Sequence, residues 1–252
     1  TEFASLLAKA KAAGHLKDWQ ISDDKIVQIG TPSMRDLPQF MATGLMIRQQ
    51  TEITKIAHHG GHIGFFDKDD LVATGRQAII TAPAAQTGKL LADIYPELAA
   101  TAGPVSYDPC WTIMLGLEDD HGLGTEPLRD EAAGIALAVP EMTRSKQQSG
   151  AVAPALTIQA TGAWSKQHLQ DSPQMVIEIL CQIWQNLTGK PLNNISTTTA
   201  HRWLYAKVTT AAPSDAPRLS NDGKLAIAGD WLSGPRVEQA FDSGQQAYRH
   251  LK

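Results

Sequence analysis

Two stretches of the chain carry side chains whose types and spacing suggest chemistry. In His201-Arg202-Trp203-Leu204-Tyr205 a strand sends His201, Trp203 and Tyr205 to one face and Arg202 and Leu204 to the other. Three flat rings with polar edges on one side suit a pocket for a planar heterocycle. The same three residues equally suit ordinary sheet packing, because aromatic side chains favour strands in general. The second stretch runs from Leu225 to Leu251. Leu225–Ala228 is a short apolar run between Gly223 and Gly229, the pattern of a strand covered on both faces. Gly234-Pro235 breaks the chain, and Val237, Ala240, Phe241, Gly244, Ala247, Tyr248 and Leu251 then fall on one helical face. A strand, an acidic Gly turn and a helix together place unpaired backbone N–H groups and a positive dipole end beside Asp230. Such a corner receives an electron-rich or anionic group, with Asp230 accepting from a sugar-like hydroxyl.

Other residues invite the same question. Trp111 and Trp164 are further ring candidates for a substrate pocket. Arg236 precedes the helix start, where a cation opposes the dipole; it meets either an anion or one of Glu238 and Asp230. Glu238 complements the dipole and reads as structural. His58-His59-Gly60-Gly61-His62 spans a turn between strands, so its imidazoles have no reason to converge, and no metal site is expected. The sequence holds no Gly-x-Ser-x-Gly turn, Walker loop or Cys-x-x-Cys pair.

These residues need a scaffold, and periodicity outlines one. Helices are predicted near Glu2–Ala13, Asp36–Thr43, Ala84–Ile94, Pro173–Leu187 and Val237–Leu251. In the fourth, Ser172 caps, Pro173 occupies the first position, and Val176, Ile179, Leu180, Ile183 and Leu187 form the buried stripe. Strands are predicted at Leu45–Arg48, Thr51–Ala57, His62–Phe66, Leu71–Thr74, Ala78–Thr81, Trp111–Leu117, Gly134–Val139, Ala155–Ala160, Ser196–Tyr205 and Leu225–Ala228. Loops are marked by Gly, Ser, Pro and Asp at Glu118–Thr125, Ser145–Pro154 and Ala211–Gly223. Strands and helices mix without regular alternation, which is an α+β pattern.

With 252 residues the chain can bury a large core, and 42% hydrophobic with 19% charged residues is the composition of a folded globular protein. A net charge of −4 with scattered Lys and Arg argues against a nucleic-acid surface, so any pull on an anionic ligand is local. No apolar run approaches the ~20 residues of a membrane helix, and no signal peptide is visible. Cys110 and Cys181 sit among apolar neighbours and read as reduced core thiols, which fits a cytoplasmic setting.

The C-terminal segment resembles the flavin-binding motif of the flavin-containing amine oxidase superfamily, in its renalase-like branch. The matching residues are Gly229-Asp230, Arg236-Val237-Glu238, Ala240 and Ser243-Gly244. Gly30-Thr31-Pro32-Ser33-Met34-Arg35-Asp36-Leu37 looks like the family's Gly-x-Pro-x-Met-x-x-Leu stretch. Thr51–Ile56 is similar to the strand whose backbone meets adenine, at the position of Ile53, and Ala78–Gln86 resembles the strand and Pro-started helix that follow. Pro109-Cys110-Trp111, Trp164-Ser165 with His168, and His201–Ala206 look renalase-like. The resemblance runs from about Phe3 to Leu251.

What the resemblance implies is an FAD-dependent oxidase. Its cofactor-binding residues are Ile53, Gly229, Asp230, Arg236, Val237, Glu238 and Ala240; Trp111, Trp164 and Trp203 line the substrate pocket, with Trp203, Tyr205 and His201 nearest the chemistry. The implied reaction passes a hydride from misreduced NAD(P)H isomers to flavin and then to dioxygen, giving hydrogen peroxide; oxidation of a small amine, or a substrate-binding fragment without cofactor, are the alternatives. The implied layout is an antiparallel-sheet substrate domain at 84–213, an N-terminal helical segment at 1–29, and parts of an FAD-binding domain at 30–83 and 214–252. One departure stands out. The family opens on a Gly-x-Gly-x-x-Gly turn that cradles the FAD pyrophosphate, and nothing like it occurs here; Gly60-Gly61-His62-Ile63-Gly64 is a poor match. The chain therefore reads as truncated at its N-terminus, with FAD expected for the intact protein.

Overall fold

The computed structural model describes residues 1–22, 25–118, 126–141 and 154–252. Most of the loops expected at 118–125 and 145–154 lie outside the described residues. Two units emerge, one formed by Thr1–Gly44 with Asp108–Ala206 and the other by Leu45–Tyr107 with Lys207–Lys252. These differ from the boundaries expected at 30, 84 and 214. Residues 84–107 belong with the second unit because their helices fill its core, and 30–44 belong with the first.

The first unit opens with α1 (Glu2–Ala12), whose first turn is capped by Thr1: its Oγ1 accepts from Ala4 N at 3.2 Å. A hairpin of β1 (Leu16–Ser22) and β2 (Lys25–Gly30) follows, and then a short α2 (Asp36–Met41). The expectation of a helical segment over 1–29 is corrected here. Trp19 and Val27 face one another across the hairpin and pack, with Ile29, on Leu137 and Val139. Alternation in Leu16–Gly30 is diluted by charged residues, which hid the strands.

The main sheet of this unit has the order β11-β7-β10-β9-β8, from β7 (Ser106–Leu117), β8 (Leu128–Asp130), β9 (Ile135–Pro140), β10 (Ala155–Ala160) and β11 (Ile195–Thr210). β10 runs antiparallel to β7 and β9, and β8 to β9. β7 and β11 are antiparallel too, since Gly116 meets Thr197 while Ser106 hydrogen-bonds Thr209. Period-2 burial makes one face apolar: Trp111, Ile113, Leu115 and Leu117 from β7, with Leu156, Ile158 and Ala160 from β10. α5 (Gly162–Gln167) precedes α6 (Pro173–Thr188), which lays Val176, Ile177, Leu180, Cys181 and Trp184 on that face. Each such side chain contributes about 1.5–3 kcal/mol on full burial. α6 begins as its sequence dictates, with Ser172 Oγ accepting from Met175 N at 3.3 Å and Pro at the first turn. It ends at Gly189, whose φ of 67° lets its N–H reach Gln185 O at 2.8 Å.

The second unit contains a three-stranded antiparallel sheet, β3 (Lys55–His59), β4 (His62–Asp67) and β5 (Asp70–Gly75). It also contains a parallel pair, β6 (Ala78–Ile80) with β12 (Leu225–Ile227), in the register Ala78–Leu225 to Ile80–Ile227. α3 (Ala84–Leu91) and α4 (Pro96–Ala102) bury Leu91, Leu98 and Ala102 with Ile63, Ile80, Leu225, Ile227 and Trp231. The strand expected at Leu45–Arg48 is absent; the Arg48 guanidinium instead donates to Val72 O. The strand expected from Thr51 starts at Lys55, although Thr54 N already donates to Phe66 O at 2.9 Å. The final helix is α7 (Val237–His250). Among the described residues no helix is long and apolar enough to cross a membrane.

Candidate functional site

The corner at the end of β12 is tightly constructed. All three β12 residues are buried, and Ala228 N donates to Ile80 O at 2.9 Å, extending the ladder one residue further. The chain then turns through Gly229, with φ 154°, into a single 3-10 turn, Asp230–Leu232. A Cβ on Gly229 would lie 2.6 Å from the Trp231 ring, so glycine here makes room for the indole. Trp231 is buried, and its Nε1 donates to Ala82 O at 3.2 Å. Gly229 N donates to the hydroxyl of Ser243, one face of α7 thereby pinning the turn at 3.1 Å. The main-chain oxygen of Asp230 accepts from Ser233 N at 3.0 Å and Gly234 N at 2.6 Å, which closes the turn.

Among the described residues the Asp230 carboxyl has backbone partners alone. Burial pushes it above the usual carboxylate range, opposed by the N–H groups of Trp231 and of Asp230 itself. A carboxylate short of donors gains from an incoming hydroxyl. α7 starts nearby in sequence: Gln239 reaches back, its Oε1 accepting from Arg236 N at 3.1 Å and its Nε2 donating to Ser233 O at 2.9 Å. Ala240 N closes the first helical bond on Arg236 O at 3.0 Å. Arg236 and Glu238 are exposed, and Arg236 makes no ion pair among the described residues, so the pairing with Glu238 or Asp230 weighed above is not formed. Val237 is 70% exposed, an apolar side chain presented to solvent at the first position of a helix. A helix N-terminus framed by an apolar residue, a cation and a donor-poor carboxylate can hold a flat ring with an anionic edge.

In the first unit, the face of the main sheet opposite α6 carries the second group of candidates. Arg202 turns toward the α6 side, its guanidinium 5.7 Å over the Trp111 ring and donating to Leu169 O. His201, Trp203 and Tyr205 therefore project from the other face, as their alternation requires. The imidazole of His201 and the indole of Trp203 meet at 4.1 Å between centroids, tilted by 58°. Trp203 is 51% exposed. By the same parity Cys110, Thr112 and Met114 of β7 share this face, and the β1–β2 hairpin covers its far end at Leu137 and Val139. Cys110 is half-buried, its Sγ 3.6 Å from the Thr112 hydroxyl, and burial pushes the thiol up.

One expected pocket residue, Trp111, is corrected, and the other, Trp164, is half-buried. Trp111 is 2% exposed; its backbone N–H donates to Ser165 Oγ at 2.9 Å and its indole Nε1 donates to His168 O at 2.9 Å, so it belongs to the core. Trp164 stacks on His168 at 3.9 Å and 22° and leans over Gly134, where a Cβ would strike its ring. His168 in turn holds Asp171 at 2.7 Å and closes α5. Ile53 lies just before β3, half-buried against the second core. The three imidazoles of the His58–His62 segment go separate ways: His58 edges onto Tyr95, His59 onto Phe66, and His62 Nδ1 meets Gly60 O at 3.1 Å. Ser243, one of the motif residues, braces the corner, and so does Gln239, which carried no signal beyond its place in the helix.

A corner of this form, joined in one chain to an antiparallel sheet with an aromatic face, has relatives. The family of flavin containing amine oxidoreductases matches residues 3–250. The chain belongs to that family. Among solved structures it resembles one from an Exiguobacterium species described as a protoporphyrinogen oxidase, at 15% identity and a TM-score of 0.67, covering 89% of this chain and 52% of that one. It also resembles cyclohexylamine oxidase from Brevibacterium oxydans, at 12% identity and 0.58, covering 79% and 47%. An oxidoreductase from Methanosarcina mazei matches at 15% and 0.58, covering 89% and 55%. These likenesses establish the mixed α+β fold with antiparallel sheets. The chain spans about half the length of the solved structures it matches.

Proposed function

We propose that this chain is part of an FAD-dependent oxidase that takes a hydride from a dihydronicotinamide, in the form of misreduced NAD(P)H isomers, and passes the electrons to dioxygen as hydrogen peroxide. The observation that carries the flavin reading is the β12–α7 corner. The residues present fit the group: Gly229 and Asp230 would take the ribityl or pyrophosphate hydroxyls, and the first turn of α7 would face the pyrimidine edge of the ring. Family membership over residues 3–250 supports the same cofactor. FAD, when bound, supplies the two-electron acceptor that no side chain provides. The protein's own part is to align donor and acceptor, exclude water and stabilise charge at the ring edge, the last worth about 0.3–1 kcal/mol from a helix N-terminus and more when covered.

The substrate side of the reading rests on the open face of the first unit's sheet. A dihydronicotinamide donor needs no proton removed before its hydride leaves, and among the described residues no carboxylate orients His201 as a base. Trp203 offers a stacking surface for a planar ring, with Tyr205 two residues along. Oxidation of a small amine is the second reading, favoured by the likeness to cyclohexylamine oxidase. The deciding experiment mixes the flavin-loaded protein without oxygen with 2- and 6-dihydro isomers of NAD(P) and, separately, with amines. Bleaching of the flavin bands by the dihydro isomers supports the first reading. Bleaching by amines alone overturns it, and a protein without flavin absorbance at full length removes both.

A further inference from the structure

We infer that His201 is a positioning residue, holding the Trp203 indole in place as a ring platform, and takes no part in acid–base chemistry; this rests on reading the open sheet face as the substrate side. The geometry makes the case. β11 is the edge strand of its sheet, and its burial pattern is open for nearly the whole segment around Trp203. An indole that is half in solvent on an edge strand has little to fix its rotamer, and ordering such a side chain costs entropy that packing must offset. Within the strand the neighbour at i−2 lies on the same face. His201 occupies that place, and its ring lies against the Trp203 ring at 4.1 Å in a tilted arrangement, closer than the ~4.5–7 Å usual for aromatic pairs.

The described surroundings of His201 offer nothing that would hold it in the tautomer an acid or base needs. A histidine that moves protons is held in one tautomer by a partner on its second nitrogen, usually a carboxylate or a carbonyl. The chain contains an example of such a pair, His168 with Asp171 at 2.7 Å, and that pair is occupied in closing α5. Neither ring nitrogen of His201 has a hydrogen-bond partner among the described residues, and its contact is through the ring plane. The imidazole lies against the Trp203 indole at 58°, and the 51% exposure of the indole leaves room for one planar partner. The platform therefore stacks one ring, and His201 sets the angle at which that ring is met.

The test compares His201→Phe, which keeps a flat ring, with His201→Ala, which removes it. Two readouts are taken: the indole N–H resonance of Trp203, identified by its loss in Trp203→Phe, and the KM and kcat of the flavin-loaded protein across pH. Expected for His201→Ala are a shifted and broadened Trp203 resonance and a KM raised about fivefold or more, with the pH profile of kcat unchanged. His201→Phe should restore both to within about twofold of the parent. The inference is overturned if His201→Phe is as impaired as His201→Ala and both lose a limb of the pH profile, which marks an acid or base. It is equally overturned if His201→Ala leaves the Trp203 resonance and KM unaltered. The resonance needs no flavin, so failure of the cofactor assignment leaves this readout intact and the two failures separable.

Discussion

Replacing Gly229 by Ala should cripple the second unit even without any ligand. A Cβ there lies 2.6 Å from both Cδ1 and Nε1 of Trp231, whereas carbon contacts settle near ~3.5–4.0 Å. The indole must retreat by about 1 Å, and it has nowhere to go: Trp231 is 1% exposed and packed in the second core. Overpacking of this kind costs about 1–3 kcal/mol. The retreat also stretches the Nε1 bond to Ala82 O, now 3.2 Å, worth roughly 1 kcal/mol. The backbone adds a third cost, because φ 154° with ψ 167° lies in a region kept almost to glycine, about 1–3 kcal/mol for another residue. The three overlap, so the sum is about 3–5 kcal/mol, a large part of the ~5–15 kcal/mol that domains possess.

Urea unfolding followed by tryptophan fluorescence and far-ultraviolet circular dichroism reads this directly. With slopes of about 1–3 kcal/mol per molar urea, the midpoint should fall by more than 1 M. Gly223→Ala is the control: φ there is +68°, but nothing lies within 4 Å of the added carbon, so only about 1 kcal/mol of backbone strain is expected. If Gly229→Ala unfolds no more easily than Gly223→Ala, Trp231 is not wedged against the turn and the account of the corner is wrong.

Asp230→Asn should separate stability from cofactor binding. Burial raises the folded-state pKa, so the native state holds the proton more tightly than the unfolded chain; wild-type stability is therefore lost as pH rises through the shifted titration. The amide removes that penalty, and melting at pH 7 should rise by less than about 1 kcal/mol after solvent screening, with the gain fading toward pH 4. Flavin content of the same variant should fall; equal melting at both pH values, or a full flavin complement, contradicts the reasoning. Trp203→Ala should cost under about 1 kcal/mol of stability, since the ring is half in solvent, yet slow flavin reduction at least tenfold in rapid mixing. Trp111→Ala, by contrast, should cost about 3–5 kcal/mol by urea unfolding, because it empties a buried site and leaves His168 O without the indole N–H.

The elements legible in the sequence are those whose pattern is set by burial on one side. α6 shows its Ser cap, Pro start and apolar stripe, and the structure places it at Pro173–Thr188. β10 at Ala155–Ala160 and the run into β12 were equally readable, the first by alternation and the second by a continuous apolar stretch. What escaped was set by neighbours distant in sequence. The β1–β2 hairpin has an apolar face of only a few residues, and that face is completed by Leu137 and Val139 more than a hundred positions away. Leu45–Arg48 has a strand composition but, among the described residues, pairs with no strand; its backbone is irregular and its apolar side chains are exposed. Trp111 and Trp203 look alike in sequence, each a Trp in an alternating strand, and only the sheet's two faces distinguish core from platform.

That contrast bears on why the β12–α7 corner and the open sheet face, each taken within its own unit, differ in how well they can be recognised. The β12–α7 corner is specified by backbone demands: one glycine beside an indole, one hydroxyl at Ser243 on a main-chain N–H, one glutamine closing the helix start. Each demand admits few residue types, so a short string of letters records it. The open sheet face is specified by parity alone, and any side chain of period two can stand on it. Its chemistry is thus free to vary with Met114, Thr112, His201 and Trp203 while the scaffold underneath, held by Trp111 and Leu115 against α6, stays fixed. Cofactor should therefore be the more conserved property of such a fold and substrate the more variable one. Paired substitutions give the measurable form: changes at Met114 and Trp203 should alter substrate preference at nearly constant melting temperature, whereas changes at Gly229 or Ser243 should lower melting temperature and flavin content together.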